Sequence, residues 1–101
     1  MILVRDVFRL KFGKARDALA VWKEMAEQGR RSGAMPAPSR ILTDLVGPYY
    51  TLVMETTVKD LPAWEADMKK SMGDPALHAL YQKFTPLVDS GYREIFTIQE
   101  M

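Results

Sequence analysis

The chain has 101 residues, of which 48% are hydrophobic and 27% charged, and its fourteen basic and thirteen acidic residues leave a net charge of +1. A single domain of this size buries about 60–65% of the surface its unfolded chain exposes, so little stability is held in reserve. These values are those of an ordinary globular chain and point away from intrinsic disorder, from a membrane span and from nucleic-acid binding, which needs a concentrated basic surface.

Residues 2 to 12 alternate, with Ile2, Val4, Phe8, Leu10 and Phe12 on one parity and Leu3, Arg5, Val7, Arg9 and Lys11 on the other. That pattern predicts a first strand. After Gly13, the residues Ala15, Ala18, Leu19, Trp22, Met25, Ala26 and Gly29 recur at helical steps and predict an amphipathic helix of about four turns. It closes near Arg30, Arg31 and Gly33, with cations at the negative end of the helix dipole. The prolines of AMPAP then impose a loop. SRILTDLV and YYTLVMETTV are β-rich runs on either side of Gly47-Pro48 and predict an antiparallel hairpin whose two faces both carry apolar residues. Asp60 is placed to cap a helix with the stripe Leu61, Trp64, Met68 and Met72, and Pro62 sits in its permissive first turn. Asp74-Pro75 restarts a third helix, turning Leu77, Leu80, Tyr81 and Phe84 inward. YREIFTIQ reads as a last strand, giving the order β-α-β-β-α-α-β.

The chain has no cysteine, so a disulfide framework, a thiolate zinc site and a thiol nucleophile are all excluded. MILVRDVF acquires charge too soon for a secretory signal, and a cytoplasmic location is the expectation.

Two β-α-β halves in this order make one α+β domain over residues 1–101, a ferredoxin-like four-stranded antiparallel sheet whose right-handed crossovers put all helices on one face. The other face keeps apolar side chains that a monomer rarely leaves in water, and a second copy of the sheet is the expected cover. VRDVFRLKFGKARDAL, LTDLVGPYYTLVMET and FTPLVDSGYREIF resemble the dimeric α+β barrel superfamily, especially its NIPSNAP-like members and less closely the antibiotic biosynthesis monooxygenase and stress-responsive barrel groups. The resemblance lies in element order and hydrophobic pattern and includes no short catalytic signature. It implies a homodimer with a cavity between sheet and helices in each subunit.

The only histidine, His78, falls at the edge of the third helix's apolar stripe beside Tyr81 and Thr85, where an imidazole can serve as a general base or simply face solvent. Haem ligation by His78 enters only because the superfamily has haem-binding members. Asp6 shares parity with Val4, Phe8 and Leu10, and Glu94 with Tyr92, Phe96 and Ile98. The two carboxylates are therefore expected to converge under the helices as a proton-abstracting pair, or else to be neutralised by Arg5, Arg9 or Arg93. Trp22, Trp64, Tyr81, Phe8 and Met54 are the residues expected to wall a ligand, with Tyr49, Tyr50 and Tyr92 as further aromatics and Met25, Met68 and Met72 as adaptable surface.

No spacing recommends a metal site, and Ser71 and Ser90 lack the surroundings of a serine nucleophile. The reading is thus a homodimeric barrel that binds a small apolar or aromatic molecule, without a dedicated cofactor and without a nucleic-acid or membrane partner. Its chemistry, if any, would be proton transfer or, as the monooxygenase resemblance implies, cofactor-free oxygenation. A non-catalytic dimerisation or interaction module is the alternative, and whether the chain is an enzyme stays open.

Overall fold

The computed structural model of the chain describes residues 1–35 and 39–101. Its elements run β1 Ile2–Leu10, α1 Ala15–Ser32, β2 Ser39–Thr43, β3 Thr51–Val58, α2 Leu61–Met72, α3 Pro75–Phe84 and β4 Val88–Thr97, with a 3-10 turn at Thr85–Leu87. The fold is α+β, with one antiparallel sheet in the order β2-β3-β1-β4. Of the predicted AMPAP loop, residues 36–38 lie outside the described residues.

The even residues of β1 face the helices. Phe8 and Leu10 join Trp22 and Met25 of α1, Leu52 and Met54 of β3, and Leu77 and Phe84 of α3 in one core. Its centre is aromatic: the Phe8 and Phe84 rings meet edge-on at 5.0 Å, and Trp22 meets Phe84 at 5.5 Å. Fully burying a side chain such as Phe84 or Leu52 contributes about 1.5–3 kcal/mol. On β4, Gly91 lies opposite Phe8, and a Cβ at that position would stand 3.0 Å from the Phe8 ring and 3.0 Å from the Val7 carbonyl oxygen. Only a residue without a side chain lets the ring cross the strand there.

Helix α1 is five turns long rather than four, and it ends at Gly33 in the left-handed conformation, φ 76°. Strand β1 stops at Leu10, two residues short of the alternating pattern. A register shift between Arg9 and Leu10 ends the ladder, and Phe12 is left exposed with its ring against Tyr50 at 4.9 Å. The hairpin strands are also shorter than predicted. Gly47 at φ 140° and Tyr50 at φ 59° bend the chain, while Asp44 Oδ1 accepts the Thr51 amide at 2.9 Å. This turns Asp44–Tyr50 into a loop whose Leu45 and Val46 are 97% and 94% exposed. Strand β4 begins four residues earlier than predicted, straight out of the 3-10 turn.

Both predicted aspartate caps form. Asp60 Oδ1 accepts the Ala63 amide at 2.9 Å, and Asp74 Oδ1 accepts the amides of Ala76 and Leu77 at 3.0 and 3.3 Å. The Ser32 hydroxyl at the end of α1, together with those two amides, holds the Asp74 carboxyl below its usual range against an opposing desolvation. Since the unfolded chain takes up this proton first as pH falls, the carboxylate's contribution is complete above the ordinary carboxyl pKa and is lost through the lower folded-state value. Asn keeps the cap acceptor but not the charge. The urea midpoint of wild type should therefore exceed that of Asp74→Asn near pH 6, with the gap closing as pH falls below the ordinary carboxyl range; a constant gap would show that the charge contributes nothing.

Candidate functional site

Between sheet and helices lies a half-open cavity of about 500 Å³. Its floor is the row Asp6–Met54 together with Phe8, one wall is Trp22 and Met25 of α1, and the opposite wall is Met68, Ser71 and Met72 of α2. Leu77, His78 and Tyr81 of α3 close one end, Tyr92 and Arg93 stand on the β4 side, and Met35 enters from the segment after α1.

The cavity exists because α2 stands away from the sheet. No residue of α2 is buried, and Leu61 and Met72, predicted to face the core, are exposed. A few polar and aromatic contacts anchor the helix: Ser71 Oγ reaches the Ala34 carbonyl at 3.0 Å, and the Arg93 guanidinium lies over the Trp64 ring at 5.0 Å. Met35 reaches the cavity because Gly29 of α1 leaves room for it. A Cβ on Gly29 would stand 2.7 Å from the Met35 side chain.

At the floor, Arg93 Nε donates to Asp6 Oδ1 at 2.6 Å. Asp6 is buried, at 9% exposure, while the Arg93 side chain is 41% exposed. The pair is therefore asymmetric: a sheltered carboxylate is neutralised by a guanidinium that is still partly in water. Of the three arginines considered from the sequence as partners for Asp6, Arg93 takes the role.

Glu94 does not converge with Asp6. Antiparallel register sets Asp6 opposite Arg93 and Arg5 opposite Glu94, so Glu94 points to the uncovered face of the sheet, away from the cavity. Parity within a strand was readable; the offset between β1 and β4 was not, and it places even residues of one against odd residues of the other.

His78 is exposed on α3 at the cavity's edge, and its backbone amide caps back to the Asp74 carbonyl at 3.0 Å. Phe8, Trp22, Met54 and Tyr81 line the cavity, whereas Trp64 borders it through Arg93. Tyr49 and Tyr50 lie elsewhere, around a shallow depression with Phe12 and Leu19. Behind the Trp22 wall, the indole Nε1–H is buried and has no hydrogen-bond partner among the described residues. Among the described residues no three His, Asp or Glu side chains gather as a ligand set for a metal ion. Arg93, Met35, Ser71 and Leu77 are the lining residues that sequence reasoning did not assign to the site. Arg93 was legible only as a counter-charge, and Met35 gave no periodic signal beside the prolines.

No known family model matches the sequence, and no curated protein matches it either. Solved structures do match its fold. A NIPSNAP family protein from Agrobacterium tumefaciens superposes with a TM-score of 0.87 at 15% identity, covering 98% of this chain and 93% of that one. An uncharacterized NIPSNAP domain protein from Burkholderia xenovorans gives 0.83 at 17% identity, over 98% and 95%. SnoaB, a cofactor-independent oxygenase from Streptomyces nogalater, gives 0.72 at 14% identity, over 99% and 94%. The architecture is that of NIPSNAP-like and antibiotic biosynthesis monooxygenase-like proteins, as the sequence pattern suggested.

Removing Arg93 strands a buried carboxylate. Arg93→Ala should destabilise the fold by about 1–3 kcal/mol in urea denaturation, less than for a fully buried pair because the arginine is partly hydrated. Asp6→Asn in that background should recover part of the loss. His78→Ala should cost less than about 1 kcal/mol, as for a boundary residue. A larger loss at His78 would mean that its ring makes a structural bond.

Proposed function

We propose that this chain binds a small, largely apolar molecule in the cavity between sheet and helices. The observation that carries this reading is the cavity itself: about 500 Å³, walled by Phe8, Trp22, Tyr81 and methionines, with the Asp6–Arg93 ion pair on its floor. Ligand sites commonly have this size and this mixture of apolar wall and few polar groups. Thioether side chains of Met25, Met54 and Met68 adapt to varied shapes, which favours a flat or irregular apolar body over one rigid outline.

The chemistry such a site supports is proton transfer. Asp6 uses only Oδ1 towards Arg93 among the described residues, leaving Oδ2 as an acceptor on the floor, and His78 stands at the opening. Proton abstraction from an acidic C–H or O–H of the ligand is also the first step by which an electron-rich substrate becomes reactive to oxygen without a cofactor. That SnoaB is a cofactor-independent oxygenase on the same fold supports the class of reaction, while the residues that would carry it in this chain are Asp6 and His78. Glu94 has no part in it. The chain acts as a homodimer in this reading, since three helices cover only one face of the sheet. Among the described residues no helix is long and apolar enough to cross a membrane.

Binding is tested with 1-anilinonaphthalene-8-sulfonate as an apolar probe. It should bind saturably, one per chain, and quench tryptophan emission. Met68→Trp, which fills the cavity from the half-exposed α2, should weaken probe binding roughly tenfold or more while leaving the circular dichroism unchanged. Unsaturable binding, or binding indifferent to Met68→Trp, would favour the non-catalytic interaction module.

A further inference from the structure

The face of the sheet away from the helices carries one row of charge that crosses all four strands. Register sets Arg40 of β2 beside Glu55 of β3, Glu55 beside Arg5 of β1, and Arg5 beside Glu94 of β4, so the sign alternates from edge to edge. The rows on either side are mainly apolar: Leu42, Val53 and Val7 to one side, Leu3 and Phe96 to the other.

The row is incompletely satisfied within one chain. Glu55 is buried and receives Arg40 through Nε at 2.8 Å and a terminal nitrogen at 2.7 Å. Arg5 Nε stands 3.7 Å from the other Glu55 oxygen, too far for a hydrogen bond, and is buried without a hydrogen-bond partner among the described residues. Glu94 has no ion pair among the described residues, and the Arg40 side chain is 72% exposed.

Alternating charge of this kind is complementary to itself. When two sheets stack about an axis that runs along the strands between β1 and β3, the strand order of the second copy is reversed. Glu55 then faces the partner's Arg5, Arg40 faces the partner's Glu94, and Val53 lies over the partner's Val7. An axis across the strands would instead set each strand over its own copy and every charge over its like. Stacked sheets lie about 10 Å apart with strands within about 30° of parallel, a gap that an arginine and a glutamate span together. The molecule is a slab of 36 × 36 × 18 Å, and its broad face is ample for the roughly 800 Å² per partner that a stable interface buries.

We infer that the Arg40–Glu55–Arg5–Glu94 row is a recognition element that selects a second copy of this chain as the cover of the open face and sets the two-fold axis along the strands. The inference rests on the homodimer reading but is tested separately from it. Sedimentation equilibrium of wild type should show a dimer. Arg5→Glu and Glu55→Arg, each folded by circular dichroism, should each self-associate roughly tenfold or more weakly, because like charges then face each other across the axis. An equimolar mixture of the two should recover dimers, since each altered charge then meets its opposite. If either variant fails to fold, Glu94→Lys at the exposed edge serves in its place: it should weaken the wild-type dimer, and raising the salt concentration should reduce the difference. A wild-type dimer whose variants dimerise unchanged, or whose mixture does not recover, overturns the recognition role and leaves the homodimer standing. A wild-type monomer overturns both and leaves the cavity reading untouched.

Discussion

Antiparallel pairing of β1 with both β3 and β4 is the constraint from which the rest of this structure follows. It places Asp6, Met54 and Arg93 in one row under the helices, and Arg5, Glu55 and Glu94 in the next row on the opposite face. A slip of one residue between β1 and β4 would send Arg93 to the open face and bring Glu94 beside Asp6, setting two carboxylates together with no cation between them. Gly91 opposes that slip. In the observed register the Phe8 ring crosses the strand at the one position without a side chain, so the aromatic core and the ion pair depend on the same alignment.

The aromatic cluster also explains why the cavity sits where it does. Phe8, Trp22 and Phe84 fill the space between α1, α3 and the sheet, Phe84 meeting both other rings edge-on while Phe8 and Trp22 are tilted to each other. Helix α2 has no such anchor. Its chain is stopped at Gly73 and α3 restarts immediately on the Asp74 cap, so α3 takes the packed position and α2 is displaced outward. Flexible methionines on both sides leave that gap unfilled where branched side chains of fixed shape would close it. The floor of the gap then contains the only acidic side chain buried beneath the helices among the described residues, and that side chain is held by a cation that α2 itself touches through Trp64.

Much of this was legible in the chain. The helix stripes of Trp22 and Met25 and of Leu77 and Phe84, the caps at Asp60 and Asp74, and the parity that put Asp6 beside Phe8 all follow from local periodicity and hydrogen-bond geometry. What failed was non-local. The offset between strands far apart in sequence is set by the turn at Thr85–Leu87 and by the shift at Arg9/Leu10, neither of which has a periodic signature, and Glu94 was misplaced for that reason. Leu45 and Val46 looked like strand because they are β-formers, yet Pro48 and the positive φ of Gly47 and Tyr50 commit that stretch to a loop. The stripe of α2 predicted burial, but a stripe reports only which side of a helix is apolar, not how closely the next layer approaches.

The two faces of the sheet treat charge by different rules, and the difference separates their roles. Beneath the helices one carboxylate and one guanidinium form a single pair amid apolar rows, so the field inside the cavity is that of a local dipole, able to orient a polar group on an otherwise greasy molecule. On the open face four charges alternate across the width of the sheet. Their field cancels within a few ångströms for a uniform surface such as a membrane or a run of like charge, and persists only against a surface with the same spacing in reversed order. A lone dipole suits recognition of something small; an extended alternation with the strand spacing suits another sheet. That one sequence carries both patterns on alternate residues of β1, Asp6 inward and Arg5 outward, means a substitution at either position reports on one face while leaving the other face's row intact.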